Sequence, residues 1–162
     1  MATYTIAGSK FEIGAAVALK NADFVAGDFT APLATAAEVG EPETFGAVSD
    51  TWETEDFTNV TSMRTRVVKT VRKGGTFELT CGIDPLDAGQ LAMRAALAVA
   101  GNFAFRFSFS DKPAAGASPK NSTRLFVGAV LSAEDDPSGK IGKVKFTVQI
   151  NSNLIVTHAS AA

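Results

Sequence analysis

A strict alternation of phenylalanine with small or polar residues most restricts what this 162-residue chain can fold into. The segment 103–109 reads FAFRFSF, so its four phenylalanines fall on one side of an extended chain. A period of two residues is typical of a β-strand with one buried side. The chain holds 12 phenylalanines but one tyrosine and one tryptophan, a usage that suits a pleated, half-buried surface. We therefore predict a strand over 103–109 with its phenylalanines in the core.

The same alternation returns in other segments. Residues 76–83 (TFELTCGI) and 143–150 (KVKFTVQI) place apolar side chains on one side and polar ones on the other. The run 124–131 (RLFVGAVL) is more continuously apolar and predicts a strand with a bulge or a close contact at Gly128. Residues 10–19 give a weaker strand pattern.

One helix is predicted over about 84–100. Asp84 is placed as its N-cap, Pro85 as its first residue and Asp87 in its first turn. Gly101 with Asn102 is expected to end it. Gly89 is locally unfavourable in a helix by about 1 kcal/mol relative to alanine, which a close contact with a sheet would explain. One side of the helix is expected to carry Leu86, Gln90, Met93 and Leu97, with Leu91 and Ala95 beside it.

The order of elements predicts the fold class. Polar connections at 111–123 and 132–143 join the strands after the helix into antiparallel hairpins. We therefore expect an α+β, mainly β chain: an antiparallel β-sandwich or barrel with one flanking α-helix. We also expect a long inter-strand connection over about 38–73 and a single domain over 1–162.

The segment 38–73 is unusual because its charges are separated. Seven acids come first, and five bases follow between Arg64 and Lys73 with no acid among them. Trp52 and Phe57 lie in the acidic half. One interpretation is a solvated hairpin whose oppositely charged arms pair with each other. The other is a long arm that docks on another copy, where charge complementarity sets the register and an aromatic residue anchors the contact.

The composition excludes several function classes. A formal net charge of −2 and an isoelectric point near 5.4 argue against a general nucleic-acid binder. One cysteine and one histidine leave almost nothing for a disulfide, a zinc site or a nucleophile pair. No apolar run approaches the roughly 18 residues that span a bilayer. We expect no catalytic, metal or cofactor residues, and no enzyme.

Three local patterns have simpler structural interpretations. The acids Glu134, Asp135 and Asp136 precede Pro-Ser-Gly and predict a solvated turn. The glycine pair at 74–75 precedes a strand, which favours a tight hairpin turn over a phosphate-binding loop. Cys81 alternates with apolar residues and is expected to be buried and inert.

The segment 71–98 (VRKGGTFELTCGIDPLDAGQLAMRAALA) resembles the core of major tail tube proteins from long, non-contractile-tailed bacteriophages or phage-derived particles. In that family a basic arm runs into a strand that opens with glycine and continues with F/V and L/F at alternate positions, here Gly75, Phe77 and Leu79. A helix start resembling D-P-x-D-A-G-Q-x-A-L-R-A-A follows at 84–96, with Met93 where the pattern has leucine. The later strand order is also similar, so the resemblance covers about 35–157.

The resemblance implies a structural subunit of the virion tail, made and assembled in the bacterial host cytoplasm. Members form hexameric rings that stack into a hollow tube during tail assembly. The lumen holds a tape-measure protein before DNA passes at genome ejection, and terminator and tip proteins are further partners. The long connection reaches a neighbouring subunit or ring. The expected interface residues are Trp52, Phe57, Arg64, Arg66, Lys69 and Arg72.

Two alternatives remain open. One is a related tube-fold component, namely a tail terminator, a distal tail protein or a type VI secretion tube subunit. The other is a small-molecule-binding β-barrel whose phenylalanines line a pocket.

Overall fold

The fold was analysed on a computed structural model that describes residues 3–162. It holds one α-helix, α1 at Ala88–Ala98, and two short 3-10 turns at Ala26–Phe29 and Pro32–Thr35. The strands are β1 Lys10–Ala16, β2 Ala37–Glu38, β3 Pro42–Phe45, β4 Asp50–Asn59, β5 Arg64–Gly74, β6 Thr76–Gly82, β7 Phe103–Ser108, β8 Thr123–Asp136, β9 Lys143–Ile150 and β10 Ile155–Thr157.

Eight strands form one antiparallel sheet in the order β2-β1-β7-β8-β9-β6-β3, with β10 added on β8. β4 and β5 form a second sheet of two strands. The centre of the large sheet consists of the three strands with the clearest alternation, β6, β7 and β9, and the more continuously apolar β8. The mainly β, antiparallel fold with one helix is confirmed.

The large sheet curls until its two halves face each other. The rings of Phe11 on β1 and Phe77 on β6 stack with centroids 4.8 Å apart, although three strands separate β1 from β6. In a flat sheet that separation would be about 19 Å, because neighbouring strands lie about 4.8 Å apart. Phe105 and Phe126 complete the stack at 5.3–5.5 Å. The phenylalanines thus form the core of a barrel, as the alternation predicts.

A second, smaller core covers the outer side of β7 and β8. Phe24, Phe29 and Leu33, from the segment that holds the two 3-10 turns, pack on Ala104 and Val127. The outer side of this half of the barrel is therefore buried, whereas the outer side of β6 and β9 carries alternating polar residues.

The predicted helix is confirmed but is shorter than expected. Its N-cap is Asp87, whose carboxylate accepts a hydrogen bond from the Gln90 amide at 2.8 Å. Asp84 instead closes a turn before the helix, since its Oδ1 accepts from the Leu86 amide at 3.0 Å. Val99 is already extended and ends the helix before Gly101.

The buried side of α1 also differs from the expected one. It consists of Gly89, Gln90, Met93 and Ala96, while Leu86, Leu91 and Leu97 are exposed. The buried side includes the small residues Gly89 and Ala96, which let the helix approach the barrel closely. A Cβ at Gly89 would lie 2.1 Å from the Glu38 carbonyl oxygen on β2. This close approach explains a glycine inside a helix.

The start of α1 closes a seam in the barrel, which is the junction between the β2–β3 connection and the end of β6. The side-chain NH2 group of Gln90 donates to the backbone carbonyls of Gly40 (3.1 Å) and Gly82 (2.8 Å). Its side-chain oxygen accepts from the backbone N–H of Asp84 (3.1 Å). Asp87 also accepts from the Gly40 amide at 3.0 Å. The D-A-G-Q sequence therefore combines an N-cap, a close approach and a buried bridge.

Strand β8 differs from its prediction in length and irregularity. It runs to Asp136, so the acids Glu134 to Asp136 lie on a strand end and the following turn is confined to 137–142. The register shift lies between Val130 and Ser132. At Gly128 the predicted close contact is confirmed, because a Cβ there would lie 2.4 Å from the Gln149 carbonyl oxygen.

The region 38–73 contains strands of its own. β3 lies at one edge of the large sheet, and β4 with β5 forms a hairpin outside it. The tight hairpin turn predicted at Gly74–Gly75 is wrong. β5 pairs with β4, whereas β6 pairs with β9 and β3, so the glycines lie where the chain passes between sheets.

Candidate assembly surface

The hairpin of β4 and β5 is the most distinctive surface of the molecule. Its strands are 10 and 11 residues long, which corresponds to about 33 Å of extended chain. Nearly all side chains on both strands are exposed. Such a long hairpin with no buried side requires another source of stability, because isolated two-stranded hairpins are marginal in water.

The base of the hairpin is fixed to the barrel. Gly75 donates to the Ser49 carbonyl at 3.0 Å and accepts from the Ile150 amide at 3.0 Å. The Gln149 side chain donates to the Gly74 carbonyl at 2.9 Å. Arg72 contacts Asp50 at 2.5 Å and Asp23 at 3.3 Å. These bonds hold the root of the hairpin, while the remainder projects into solvent.

All six residues predicted at the interface lie on this hairpin, three on each side. On one side, Lys69 and Arg72 flank the Trp52 ring, with their charged groups 5.6 and 5.7 Å from its centroid. On the other side, the register pairs Phe57 with Arg66 and Asn59 with Arg64. The Phe57 ring is 60% exposed. Each side thus presents one aromatic ring beside two cations.

The two arms pair through their backbones, and one ion pair, between Asp50 and Arg72, joins their charges. The register places Glu55 opposite Val68 and Asp56 opposite Val67, and a bulge between Trp52 and Thr54 shifts the next pairs. Within residues 3–162, Arg72 is the only base of the hairpin that has an ion pair. The hairpin interpretation is therefore right about strand pairing, whereas charge neutralisation between the arms is limited to this one pair at the root. The other charged residues of the hairpin have no ion pair there: Glu53, Glu55, Asp56, Arg64, Arg66, Lys69 and Lys73.

Both outer edges of the hairpin are open to another strand. In the described part of the chain, β4 pairs with β5 alone, and β5 with β4 alone. Unpaired backbone N–H and C=O groups along an edge are a template for a further strand. One edge belongs to the acid-bearing strand and the other to the base-bearing strand.

The tip carries two apolar residues that were not predicted from the sequence. Val60 and Met63 are 88% and 89% exposed. Asn59 shapes the turn between the strands, since its side-chain oxygen accepts from the Thr61 and Ser62 amides at 2.9 and 3.1 Å. In the sequence this tip is a short V-T-S-M segment between two charged strands. It can be recognised as a turn only when the register of the two strands is known.

Other features of residues 3–162 bear on the expectations about reactive residues, pockets and membrane spans. Cys81 is buried among apolar side chains, and this burial, with a smaller contribution from the Asp87 charge, raises its pKa to about 12. No group of three metal-ligating side chains occurs within the residues described. Phe105 and Phe126 are fully buried against each other, so they line no pocket. Of the helices in residues 3–162, none is long and apolar enough to span a bilayer.

Comparison with known proteins identifies the fold. No protein-family model and no curated protein sequence matches this chain. Among solved structures, the SPP1 tail tube matches 95% of this chain and 80% of its own, with a TM-score of 0.63 and 14% identity. A chain of the anti-feeding prophage (AFP) baseplate matches over 98% of both chains, with a TM-score of 0.65 and 10% identity.

A third match comes from the structure of a PVC sheath/tube terminator in an extracellular contractile injection system. It covers 97% of this chain and 98% of the other, with a TM-score of 0.65 and 10% identity. The chain therefore shares its fold with components of tubular tails and injection systems. The tail tube fold implied by the sequence resemblance is confirmed.

Proposed function

We propose that this chain is the structural subunit of a phage tail tube, which assembles into stacked, hexameric rings around a hollow lumen. The observation that carries the proposal is the β4–β5 hairpin. It is long, exposed on both sides, open at both edges and rich in charges, most of which have no ion pair within residues 3–162. The shared fold with the SPP1 tail tube supports it.

The two edges of the hairpin favour a head-to-tail contact around a ring. The β4 edge carries Glu53, Glu55 and Asp56, and the β5 edge carries Arg64, Arg66 and Lys69. If β4 of one copy lies beside β5 of the next, opposite charges meet and both open edges gain a partner. Such a contact is heterologous and can close into a ring. Trp52 and Phe57 anchor this contact on the two sides of the hairpin.

The remaining partners follow from the same proposal. The tube encloses a tape-measure protein and meets terminator and tip proteins at its ends, and the subunit resides in the virion tail after assembly in the host cytoplasm. DNA passes without specific binding. The net charge of −2 agrees with this, because a strongly basic lumen would hold phosphates. The role is structural rather than enzymatic.

A related tube-fold component is the second candidate, since one match comes from a baseplate structure and another from a terminator structure. A terminator caps a tube, whereas a tube subunit forms long stacks. Purified protein imaged by negative-stain electron microscopy over a concentration series distinguishes them. Long tubes with a regular axial repeat support the first candidate, and rings that never stack support the second.

The interface is tested by replacing Arg64, Arg66 and Lys69 with glutamate. These side chains have no ion pair within residues 3–162, so the monomer should stay folded while tube assembly is lost. The matched control replaces Lys112, Lys120 and Lys140, exposed lysines outside the hairpin that also have no ion pair among the described residues, with glutamate and so changes the charge equally. Normal assembly of the hairpin variant would refute the interface, and loss of assembly in the control would make the effect one of net charge.

A further inference from the structure

A cleft of about 540 Å³ lies between the root of the β4–β5 hairpin and the segment 20–24. The hairpin side of the cleft is formed by Asp50 and residues 72–74, and residues 149–153 line the space between the two sides. Open space rather than packed side chains therefore separates the hairpin from segment 20–24. On this side of the molecule, the angle between the hairpin and the barrel depends on any side chain that crosses the cleft.

Arg72 is the side chain that crosses it. One terminal nitrogen of its guanidinium donates to Asp50 at 2.5 Å within the hairpin, and the other donates to Asp23 at 3.3 Å on the opposite side. Within residues 3–162, the second contact is the one hydrogen bond or ion pair between the hairpin and segment 20–24. We call this Arg72–Asp23 contact the strut.

Arg72 is held in place from the hairpin side. The side chain of Asp50 is 13% exposed, and the Trp52 ring centroid lies 5.7 Å from the guanidinium carbon. An exposed ion pair usually contributes little, because two long side chains must be ordered to form it. Here Asp50 and Trp52 already order the arginine, and the guanidinium can bond two carboxylates through different nitrogens. The strut therefore costs less ordering than an isolated surface pair.

The other side of the strut is also fixed. Asp23 directly precedes Phe24, whose ring is buried in the second core against Ala104 and Val127. The backbone of Phe24 is held at both of its polar groups: its N–H donates to the Asn153 side chain at 2.7 Å, and its carbonyl accepts from that side chain at 2.9 Å. The strut thus connects the hairpin to a rigid part of the barrel.

The root bonds of the hairpin do not fix its direction in the same way. They involve Gly74 and Gly75, two neighbouring residues, and so act close to a single point. Arg72 lies about 7 Å along the strand from Gly74, whereas the tip lies about 33 Å away. A displacement of about 1 Å at the strut therefore becomes about 5 Å at the tip.

We infer that Arg72 is a positioning residue, which sets the direction of the hairpin through its contact with Asp23. It differs in this from Arg64 and Arg66, which have no ion pair among the described residues. A hairpin that is already oriented loses less freedom when it meets a partner. The consequence for assembly rests on the proposed tube function, whereas the strut itself is a property of the single chain.

Distances between two spin labels test the strut in the monomer. One label is placed on the tip with Thr61→Cys and the other on β8 with Leu131→Cys, and both positions are exposed. Cys81 takes no label, because it is fully buried and its thiol pKa is raised to about 12. Double electron–electron resonance is recorded below the protein concentration at which assembly begins. Adding Asp23→Ala should widen the distance distribution by about 5 Å for each 1 Å of freedom gained at Arg72.

Rescue and control variants separate the strut from a general change of charge. Asp23→Glu keeps the carboxylate and should keep the narrow distribution. Asp56→Ala removes a hairpin carboxylate that has no ion pair within residues 3–162 and should also keep it. Arg72→Lys retains the charge but not the two-sided fork, so it should widen the distribution. An unchanged width in Asp23→Ala, or equal widening in Asp56→Ala, would overturn the inference.

Fluorescence of Trp52, the only tryptophan of the chain, shows whether the hairpin itself stays folded. In Asp23→Ala the contacts of Arg72 with Asp50 and with the Trp52 ring remain, so the emission maximum should not move. A red shift of the emission would mean that the hairpin unfolds without the strut. That result would overturn the assignment of Arg72 as a residue that orients the hairpin.

Assembly of the same variants tests the consequence for tube formation. Asp23→Ala should raise the protein concentration needed for tubes by up to about fivefold, which corresponds to the largest usual contribution of an exposed ion pair. Asp23→Glu should assemble at the wild-type concentration. A widened distance distribution with unchanged assembly would overturn the role in assembly alone. Wild-type protein that never forms tubes would overturn the proposed function, while the monomer distances would still decide whether the strut orients the hairpin.

Discussion

The barrel and the β4–β5 hairpin are both antiparallel β-structure, yet they keep their strands in place by different means. Each central barrel strand buries one side in a core of stacked phenylalanines. The hairpin buries neither side and is fixed by a few bonds at its root. The barrel therefore has a core of its own within one chain, whereas most side chains of the hairpin are exposed.

The electrostatics differ in the same way. Several barrel charges are paired within the chain, as in Glu78 with Lys145 at 3.3 Å and Glu43 with Lys143 at 2.8 Å. In the hairpin, Glu55 and Asp56 lie opposite valines and Arg66 lies opposite Phe57. Only Asp50 and Arg72 of the hairpin form an ion pair within residues 3–162. Exposed ion pairs contribute at most about 1 kcal/mol, so the hairpin loses little stability by leaving its charges free. Under the proposed function, the buried barrel residues serve folding and the exposed hairpin residues serve association.

The sharpest test of the comparison is Phe105→Ala against Phe57→Ala. Phe105 is fully buried in the ring stack, so its truncation should lower the free energy of unfolding by about 3–5 kcal/mol. Phe57 is exposed, and its truncation should change the free energy of unfolding by less than about 0.5 kcal/mol. Urea denaturation of the monomers measures both. Equal losses of unfolding free energy in the two variants would contradict the assignment of Phe105 to the core and of Phe57 to the exposed hairpin.

A second test addresses the seam at α1. Gln90→Ala leaves the Gly40 and Gly82 carbonyls without their donor, and a buried unsatisfied polar group costs about 1–3 kcal/mol. Leu91→Ala, at the next and exposed position of the same helix, should cost far less. Thermal unfolding followed by circular dichroism compares the two. A Gln90→Ala variant as stable as the control would show that the seam is not held by this side chain.

A third test compares two glycines. In Gly89→Ala the new methyl group meets the Glu38 carbonyl, and such overpacking costs about 1–3 kcal/mol, which exceeds the gain in helix propensity. In Gly27→Ala nothing lies within 4 Å of the new Cβ, so stability should be unchanged or rise by up to about 1 kcal/mol. Denaturant midpoints report the difference. A stabilised Gly89→Ala variant would refute the close packing of α1 on β2.

The smallest expected effect concerns the ion pair of Asp135. Its hydrogen bond from Arg94 lowers the pKa of the Asp135 carboxyl below the ordinary value. A carboxyl with a lower pKa in the folded state adds stability above its unfolded pKa of about 3.9, and this stability is lost as the pH falls through the folded value. The wild type should therefore lose slightly more stability than Asp135→Asn between pH 5 and pH 2. If the free energy of unfolding of the two proteins fell equally over this pH range, the Arg94–Asp135 ion pair would make no such contribution.

Much of the fold could be predicted from local patterns. Alternation located β6, β7 and β9, because a strand with one buried side repeats its chemistry every two residues. The helix could be located but not its first residue, since both Asp84 and Asp87 are suitable caps. The choice of Asp87 depends on its bond to Gly40, and residue 40 lies far away in the sequence. The bulge in β8 and the extension of that strand to Asp136 depend on pairing with β9 for the same reason.

The features of the β4–β5 hairpin also divide into those that the sequence predicts and those that tertiary contacts set. The sequence by itself determined the charge separation over 38–73, the aromatic residues within it and the phenylalanine core. Only the tertiary structure decided which of these charges have an ion pair and that Val60 and Met63 form an exposed tip. The reason is physical: side-chain period is a local property of the chain. Register, strand order and the ends of a barrel arise from contacts between residues that are distant in sequence.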